Sequence, residues 1–238
     1  MNKEQFIIEL NKIDIALSEE TIKKLDSYKD LLKEYNEKFN LTAITSDEDI
    51  YLKHFFDCLY LLKIDEIKEA QSILDIGTGA GLPGMVLALA LPNASLTLVE
   101  SNAKKCGFLK IVKEKLNINN VKIVNERAED FSKKHRESFD VVTCRAVANL
   151  MVLTELEVPA LKINGYFLPL KSHFEEELEM SKNKLKQLGS YLEDTITYHL
   201  PIENSNRSIL KIKKTTKTDK IFPREYSKII KDLKKLTK

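Results

Sequence analysis

Four of the chain's seven glycines, Gly77, Gly79, Gly81 and Gly84, fall within eight positions of the stretch 73-ILDIGTGAGLPGMVLALALP-92. Glycine adopts positive φ without strain and lets a backbone approach a ligand closely, so the cluster is a candidate phosphate or nucleoside cradle. A triphosphate, a dinucleotide and S-adenosylmethionine (SAM) are the ligands to weigh. The triphosphate is excluded, because no Gly-Lys-Ser/Thr follows to hold phosphates and their magnesium. Gly79-Ala80-Gly81-Leu82-Pro83-Gly84 spells a dinucleotide fingerprint, but out of register. Counted from Gly77, the first glycine off the strand, the third glycine should stand where Leu82 does. Asp75 points the same way: a carboxylate at the mouth of a pyrophosphate site repels its ligand, whereas SAM brings an ammonium and a sulfonium that it attracts. Glu100, 19 residues beyond Gly81, closes the next apolar run, where a carboxylate accepts ribose hydroxyls; that role suits SAM and NAD alike. Asp75 and Glu100 together favour SAM.

The elements that must position these residues are legible in the periodicity. Residues 1–70 read as a helical extension: Leu25, Tyr28, Leu32, Tyr35 and Phe39 recur at steps of three and four, Ser18 is an N-cap followed by Glu19 and Glu20, and Thr45 or Ser46 opens a second helix running through Leu62. From residue 71 short apolar runs (SILDI, SLTLVE, VKIVN, FDVVTC, GYFLPL) alternate with helical stretches at 82–91, 102–116, 148–162 and 174–189. Such alternation predicts right-handed βαβ units and a parallel sheet, an α/β doubly wound, Rossmann-like fold over residues 71–238. Two further runs, 191–200 and 207–213, lack a long helix between them and predict a terminal antiparallel pair. The glycine loop thus follows the first strand and opens the first helix, at the carboxyl edge where open α/β sheets bind ligands.

Composition narrows the class. With 43% apolar and 31% charged residues the chain reads as a soluble globular protein. The N-terminus lacks a signal-peptide core, and the longest apolar run, Met85 to Leu91, is too short to cross a membrane. Cys58, Cys106 and Cys144 are scattered without metal-ligand spacing, which predicts a reduced, cytoplasmic protein without zinc or disulfides. Charge is uneven: residues 1–70 hold 10 basic against 16 acidic side chains, and residues 211–238 hold 11 against 3. A lysine-rich end suits a polyanion, with Lys213, Lys214, Lys217 and Lys220 as the expected phosphate contacts.

Several motifs carry a family resemblance: Asn36 with 40-NLTAI-44, 54-HFFDCL-59, 75-DIGTGAGLPG-84, 100-ESNAKKCGFL-109, 127-RAE-129, 144-CRAVA-148 and 165-GYFLPLK-171. The chain resembles the bacterial methyltransferases that act on N7 of a guanine in 16S ribosomal RNA. It departs from their pattern at Cys58, at Ser172 and in the tail EYSKIIKDLKKLTK, which reads as a helix. The resemblance implies a SAM-dependent methyltransferase fold. Its cofactor ligands would be Gly77, the turn around Leu82, Ala128, Glu129 and Arg145, beside Asp75, Gly79 and Glu100. The partner it implies is 16S ribosomal RNA or the small subunit, bound by a monomer without metal or membrane. Arg145 and Lys171 would grip the guanine O6 or a phosphate, and Asn40 the base edge, although Asn40 also suits a helix C-cap. His54 and Asp57, three apart, share a helix face and are expected to bond to each other structurally, docking the N-terminal helices. A SAM methyltransferase of another substrate and a non-catalytic RNA-binding module are the competing readings.

Overall fold

The computed structural model describes residues 1–145 and 148–236. Its first part is helical. Asn2 and Gln5 form a capping box at the start of α1 (Lys3–Lys12), and the Ser18 hydroxyl accepts from Thr21 N–H at the start of α2 (Glu19–Phe39). The α2 stripe packs inward as its spacing requires: Leu25, Tyr28 and Leu32 are fully buried, Tyr35 and Phe39 partly so. Ser46, not Thr45, caps the next helical run by accepting from Asp49 N–H. That run is α3 (Asp47–Asp49), a π-helical stretch at Ile50–Phe56, α4 (Asp57–Leu59) and a 3₁₀ turn at Tyr60–Lys63, before α5 (Asp65–Glu69). Six of the seven π-helical residues are buried, so this stretch is packed nearly all round and carries no single apolar stripe.

The sheet domain follows as β1 (Ser72–Ile76), α6 (Gly84–Ala90), β2 (Ser95–Glu100), α7 (Ala103–Lys115), β3 (Val121–Asn125), α8 (Ala128–Lys134), β4 (Phe139–Arg145), α9 (Leu150–Glu157), β5 (Leu161–Lys171), α10 (Glu175–Gln187), β6 (Ser190–His199), β7 (Asn206–Lys214) and α11 (Tyr226–Leu236). Strand order is β3-β2-β1-β4-β5-β7-β6. The first five strands are parallel, and β7 runs antiparallel to both β5 and β6. Two local departures from the sequence reading have physical causes. The helix expected over 148–162 stops at Glu157, because Pro159 sits in the following 3₁₀ turn and cannot donate to a continuing helix; β5 therefore starts at Leu161. The short α8 shows no expected stripe because, of its seven residues, Phe131 is the one large apolar group.

One apolar cluster joins Phe6, Leu25, Tyr28 and Phe55 of the N-terminal helices to Phe108 of α7 and to Ile73, Leu96 and Leu168 of the sheet. Tyr28 stacks at 5.7 Å on Phe55 and at 6.4 Å on Phe108. The helices of residues 1–70 thus share a core with the sheet they cover. The other sheet face packs Leu74 and Val142 against Phe131, Leu153 and Leu185 of α8, α9 and α10. Among the described residues no helix is long and apolar enough to cross a membrane.

Candidate active site

The strand order reverses beside β1, whose neighbours are β2 and β4, and the glycine loop leaves β1 at that point. Gly77, Gly79 and Gly81 all have positive φ, and Gly77 N–H donates to Val99 O at 2.8 Å, tying the loop to β2. The later glycines are needed for packing. A Cβ on Gly84 would lie 2.1 Å from Leu98 Cδ2 and 2.7 Å from Asp75 Oδ2; on Gly81 it would lie 2.7 Å from the Tyr28 hydroxyl. At Gly79 it would meet only Gly77 O, 4.0 Å away, so Gly79 faces open space. Tyr28 donates to Ala80 O, so α2 clamps the loop from above.

Asp75 differs from its expected position at the mouth of the site. It is 0% exposed beneath the loop, where Oδ2 accepts from Thr78 Oγ1 at 2.6 Å and from Gly84 N–H at 2.7 Å. The first N–H groups of α6 have no helical partner, and the absence of a side chain on Gly84 admits the carboxylate to one of them. Burial pushes the Asp75 carboxyl up to about 7, against the pull of those two donors. Glu100 accepts from Gly79 N–H at 3.0 Å and Asn102 N–H at 2.8 Å, bracing the loop at the end of β2. Leu82 is buried in the core, its N–H on Thr78 O.

Beyond the ends of β1, β2 and β3 lies a cavity of about 230 Å³, lined by Gly77, Val99, Ser101, Ala128, Glu129, Leu153, Leu156, Glu157 and Tyr226 among others. Its volume is below the roughly 300 Å³ at which whole-ligand pockets begin, a size for a nucleoside end rather than an entire cofactor. Three carboxyls, Glu126, Glu129 and Glu157, share it with one guanidinium, Arg127, 3.7 Å from Glu129. Its guanidinium is already paired and its carboxyl oxygens accept hydrogen bonds, which suits the amine and hydroxyls of an adenosine better than a pyrophosphate. The orphaned carboxyl of Glu157 and the backbone beside Ala128 offer the polar groups such a base needs. Arg127 lies 5.5 Å from the Tyr226 ring, closing the outer wall with α11.

A second cleft, about 510 Å³, opens over β4 and β5 and is lined by Lys53, His54, Asp57, Arg145, Lys171, His173, Glu177 and Arg207 among others. Arg145 is its centre. Its guanidinium donates to Asp57 Oδ2 at 3.2 Å, to His54 Nδ1 at 2.8 Å and to Lys53 O. Because a guanidinium only donates, His54 Nδ1 must accept, which leaves the ring proton on Nε2, 2.9 Å from Thr42 Oγ1. Burial, and then the Arg145 charge, push His54 down to about 3, so it is neutral. Asp57 also receives the Tyr198 hydroxyl at 2.6 Å. In place of the expected direct His54–Asp57 bond, both side chains hold Arg145 at the end of β4, a partner about ninety residues away that spacing alone does not reveal. Lys171 Nζ lies 2.7 Å from both Glu177 Oε2 and Ala148 O.

The structure brings Gly77, Ala128 and Glu129 together in the first cavity and Arg145 with Lys171 in the second. Asp75, Gly79, Leu82, Glu100 and Asn40 line neither. Asn40 is the left-handed C-cap of α2 (φ 49°) and is exposed, while Asn36, four residues earlier, accepts Thr42 N–H. Of the motif 144-CRAVA-148, Ala146 and Val147 lie outside the described residues, as do Thr237 and Lys238 of the tail. The lysine tail is partly corrected. Lys214 is fully buried, its Nζ on Leu161 O at 2.9 Å and Val158 O at 3.2 Å, and Lys213 pairs with Glu193; Lys217 and Lys220 are exposed. The sequence reading missed Glu157, Tyr226, Lys53 and Arg207. Only Glu157 left a signal, a charge inside the apolar run 150-LMVLTELEVPA-160. Among the described residues no group of three or more His, Cys, Asp or Glu could hold a metal ion.

Comparison with known proteins agrees with this architecture. The family model described as rRNA small subunit methyltransferase G matches residues 21–221. A ribosomal RNA small subunit methyltransferase G of Clostridium perfringens is 42% identical over 224 residues, covering 93% of this chain and 94% of the relative. Its namesake from Bacillus licheniformis is 42% identical over 228 residues, covering 94% and 95%. Among solved structures, an O-methyltransferase from Bacillus cereus in complex with SAH aligns at a TM-score of 0.58 and 15% identity over 89% of this chain and 100% of that one. The O-methyltransferase TomG from Streptomyces achromogenes, in complex with SAM, aligns at 0.57 and 14% over 91% and 100%. At such identities these two speak for the fold alone, a SAM-methyltransferase-like Rossmann sheet. By its sequence relatives, matched over nearly its whole length, the chain belongs to the rRNA small subunit methyltransferase G family.

Proposed function

We propose that the chain transfers a methyl group from SAM to N7 of a guanine in 16S ribosomal RNA. The observation that carries this reading is the pair of recesses side by side along the strand ends. One is apolar and acidic, beside the glycine loop; the other is rimmed by Lys53, Arg145, Lys171, His173 and Arg207 against Asp57 and Glu177. The first suits a cationic nucleoside and the second a nucleotide of RNA. We assign Gly77, Ala128 and Glu129 to the adenosine, and Gly79 with Glu100 to the edge where the ribose would sit. Arg145, Lys171 and Asn40 are assigned to the guanine nucleotide. The protein would act as a cytoplasmic monomer.

SAM, when bound, supplies an electrophilic methyl group on its sulfonium. The chain's own residues hold and align the partners, which at about 3–3.5 Å and in line contributes roughly 7–11 kcal/mol toward the barrier. Guanine N7 carries an unprotonated lone pair at neutral pH, so no general base is required. This agrees with the state of His54, whose two nitrogens are engaged by Arg145 and Thr42. Positive charge reaches the guanine ring in the transition state, so the cations belong on O6 or a phosphate rather than against N7. Asp57 and Glu177 fit that role by fixing the Arg145 and Lys171 head groups. The base must leave its stack to enter the cleft.

Accumulation of SAH tests the proposal. With SAM present it should form only when small-subunit ribosomal RNA is added, and in proportion to it. SAH formed without RNA, or none formed with it, contradicts the reading.

A further inference from the structure

Helix α9 carries two fully buried acids with opposite surroundings. Glu155 is compensated: Arg224 reaches it at 2.7 and 2.8 Å and Lys184 at 2.9 Å. Glu157, two residues on, is 0% exposed, yet neither Oε1 nor Oε2 has a hydrogen-bond partner among the described residues. The Cys144 thiol adjoins it, a weak donor at best. A buried carboxyl left in this state opposes folding, unless something outside the chain satisfies it. Glu157 also lines the cavity that contains Ala128 and Glu129. With no hydrogen-bond partner on either oxygen among the described residues, a carboxylate here would be an uncompensated buried charge. The site therefore accommodates the neutral acid, and burial raises its carboxyl well above the ordinary range.

A neutral carboxyl presents a donor and an acceptor side by side in one plane, as a carboxamide does. Adenine presents the complement, a ring nitrogen that accepts beside an exocyclic amine that donates, the pairing by which Asn and Gln read adenine elsewhere. We propose that Glu157 is a specificity-determining residue for the cofactor's adenine, its O–H donating to a ring nitrogen and its carbonyl oxygen accepting from the exocyclic amine. This rests on the reading that the cavity takes the adenosine end of SAM. It explains why an acid is placed in an apolar helix where Glu155 has partners and Glu157 has none: the ligand is the missing partner.

Titration calorimetry with SAH on the full chain tests the proposal, alongside thermal unfolding without ligand. Glu157→Gln, which keeps a donor beside an acceptor, should hold affinity within about threefold, and Glu157→Ala should weaken it by at least about tenfold. The ligand-free Tm of Glu157→Gln should match wild type, since it leaves an equally unpartnered polar group, and that of Glu157→Ala should not fall, since an orphan buried acid is removed. A purely structural Glu157 predicts the reverse, a lower Tm with unchanged affinity. An SAH analogue lacking the exocyclic amine should bind wild type at least about tenfold more weakly than SAH does, and this readout stands even if the Ala variant fails to fold. Ala128→Trp, which fills the cavity, separates the role of Glu157 from that of the cavity. If it abolishes SAH binding while Glu157→Ala stays within about twofold of wild type, the Glu157 inference is overturned and the cavity assignment stands. If Ala128→Trp binds SAH as wild type does, the cavity assignment falls, and the inference with it.

Discussion

Lowering the pH should weaken the junction between the N-terminal helices and the sheet through one residue, His54. In the folded chain its Nδ1 faces the Arg145 guanidinium at 2.8 Å, so a proton there would set two cations against each other in a nearly buried site. Its folded value is lowered to about 3 from an unfolded value of 6.5. Between those values the unfolded state binds more protons, so stability rises with pH across the window and is lost as pH falls below about 6.5. Linkage from pH 7 to pH 5 then gives a loss of about 2 kcal/mol from this group. For a chain of this size that is roughly 4–8 °C in Tm. Asp75 works in the opposite sense. Its folded value is raised to about 7, so the stability it contributes falls as pH rises from about 4 toward 7. The quantity to measure is therefore a difference: thermal unfolding at pH 7 and pH 5 for wild type and for His54→Gln, whose side-chain oxygen can still accept from Arg145. The variant should lose about 2 kcal/mol less than wild type over that interval. Equal losses in the two proteins would refute the assignment of a neutral, Arg145-facing histidine.

Four further outcomes follow from the geometry. Lys171→Ala should leave SAM affinity within a few-fold while lowering methyl transfer to RNA by at least about tenfold, roughly 1.4 kcal/mol of transition-state binding; equal falls in both would move Lys171 into the cofactor site. Gly84→Ala should cost about 1–3 kcal/mol by overpacking, read as a fall in Tm, because its Cβ would lie 2.1 Å from Leu98 Cδ2. Gly79→Ala, facing open space at φ +59°, should cost about 1–2 kcal/mol of backbone strain alone, and a larger loss than at Gly84 would contradict the packing argument. Neutralising the exposed Lys217 and Lys220 should flatten the dependence of log RNA affinity on log salt by about 0.7 for each phosphate no longer neutralised, with SAM binding untouched; an unchanged slope would leave RNA binding to the cleft.

Periodicity locates the first five strands as short apolar runs bounded by polar residues and the last two as β-like runs with no long helix between them, and the glycines locate the loop. What stays hidden depends on partners distant in sequence. Spacing makes Asp75 a ligand candidate, but spacing does not tell which way a carboxylate turns; Gly84, nine residues on, draws it inward. Arg145 stands out of place in an apolar strand, yet its partners His54, Asp57 and the Lys53 carbonyl lie about ninety residues earlier. Lys214 sits in a lysine-rich tail like its neighbours, and only the pairing of β7 with β5 reveals that alternation points it inward. Tyr226 becomes a cavity wall through the Arg224–Glu155 clasp, which no local pattern announces.

The most direct measurement is to incubate the protein with methyl-tritiated SAM and ribosomal RNA from cells lacking it, then to map the labelled nucleoside. The account predicts label in small-subunit RNA, at a single guanine, recovered as 7-methylguanine. Label on another base or another ring position, or an RNA that stays unlabelled while the protein binds SAM, would contradict it.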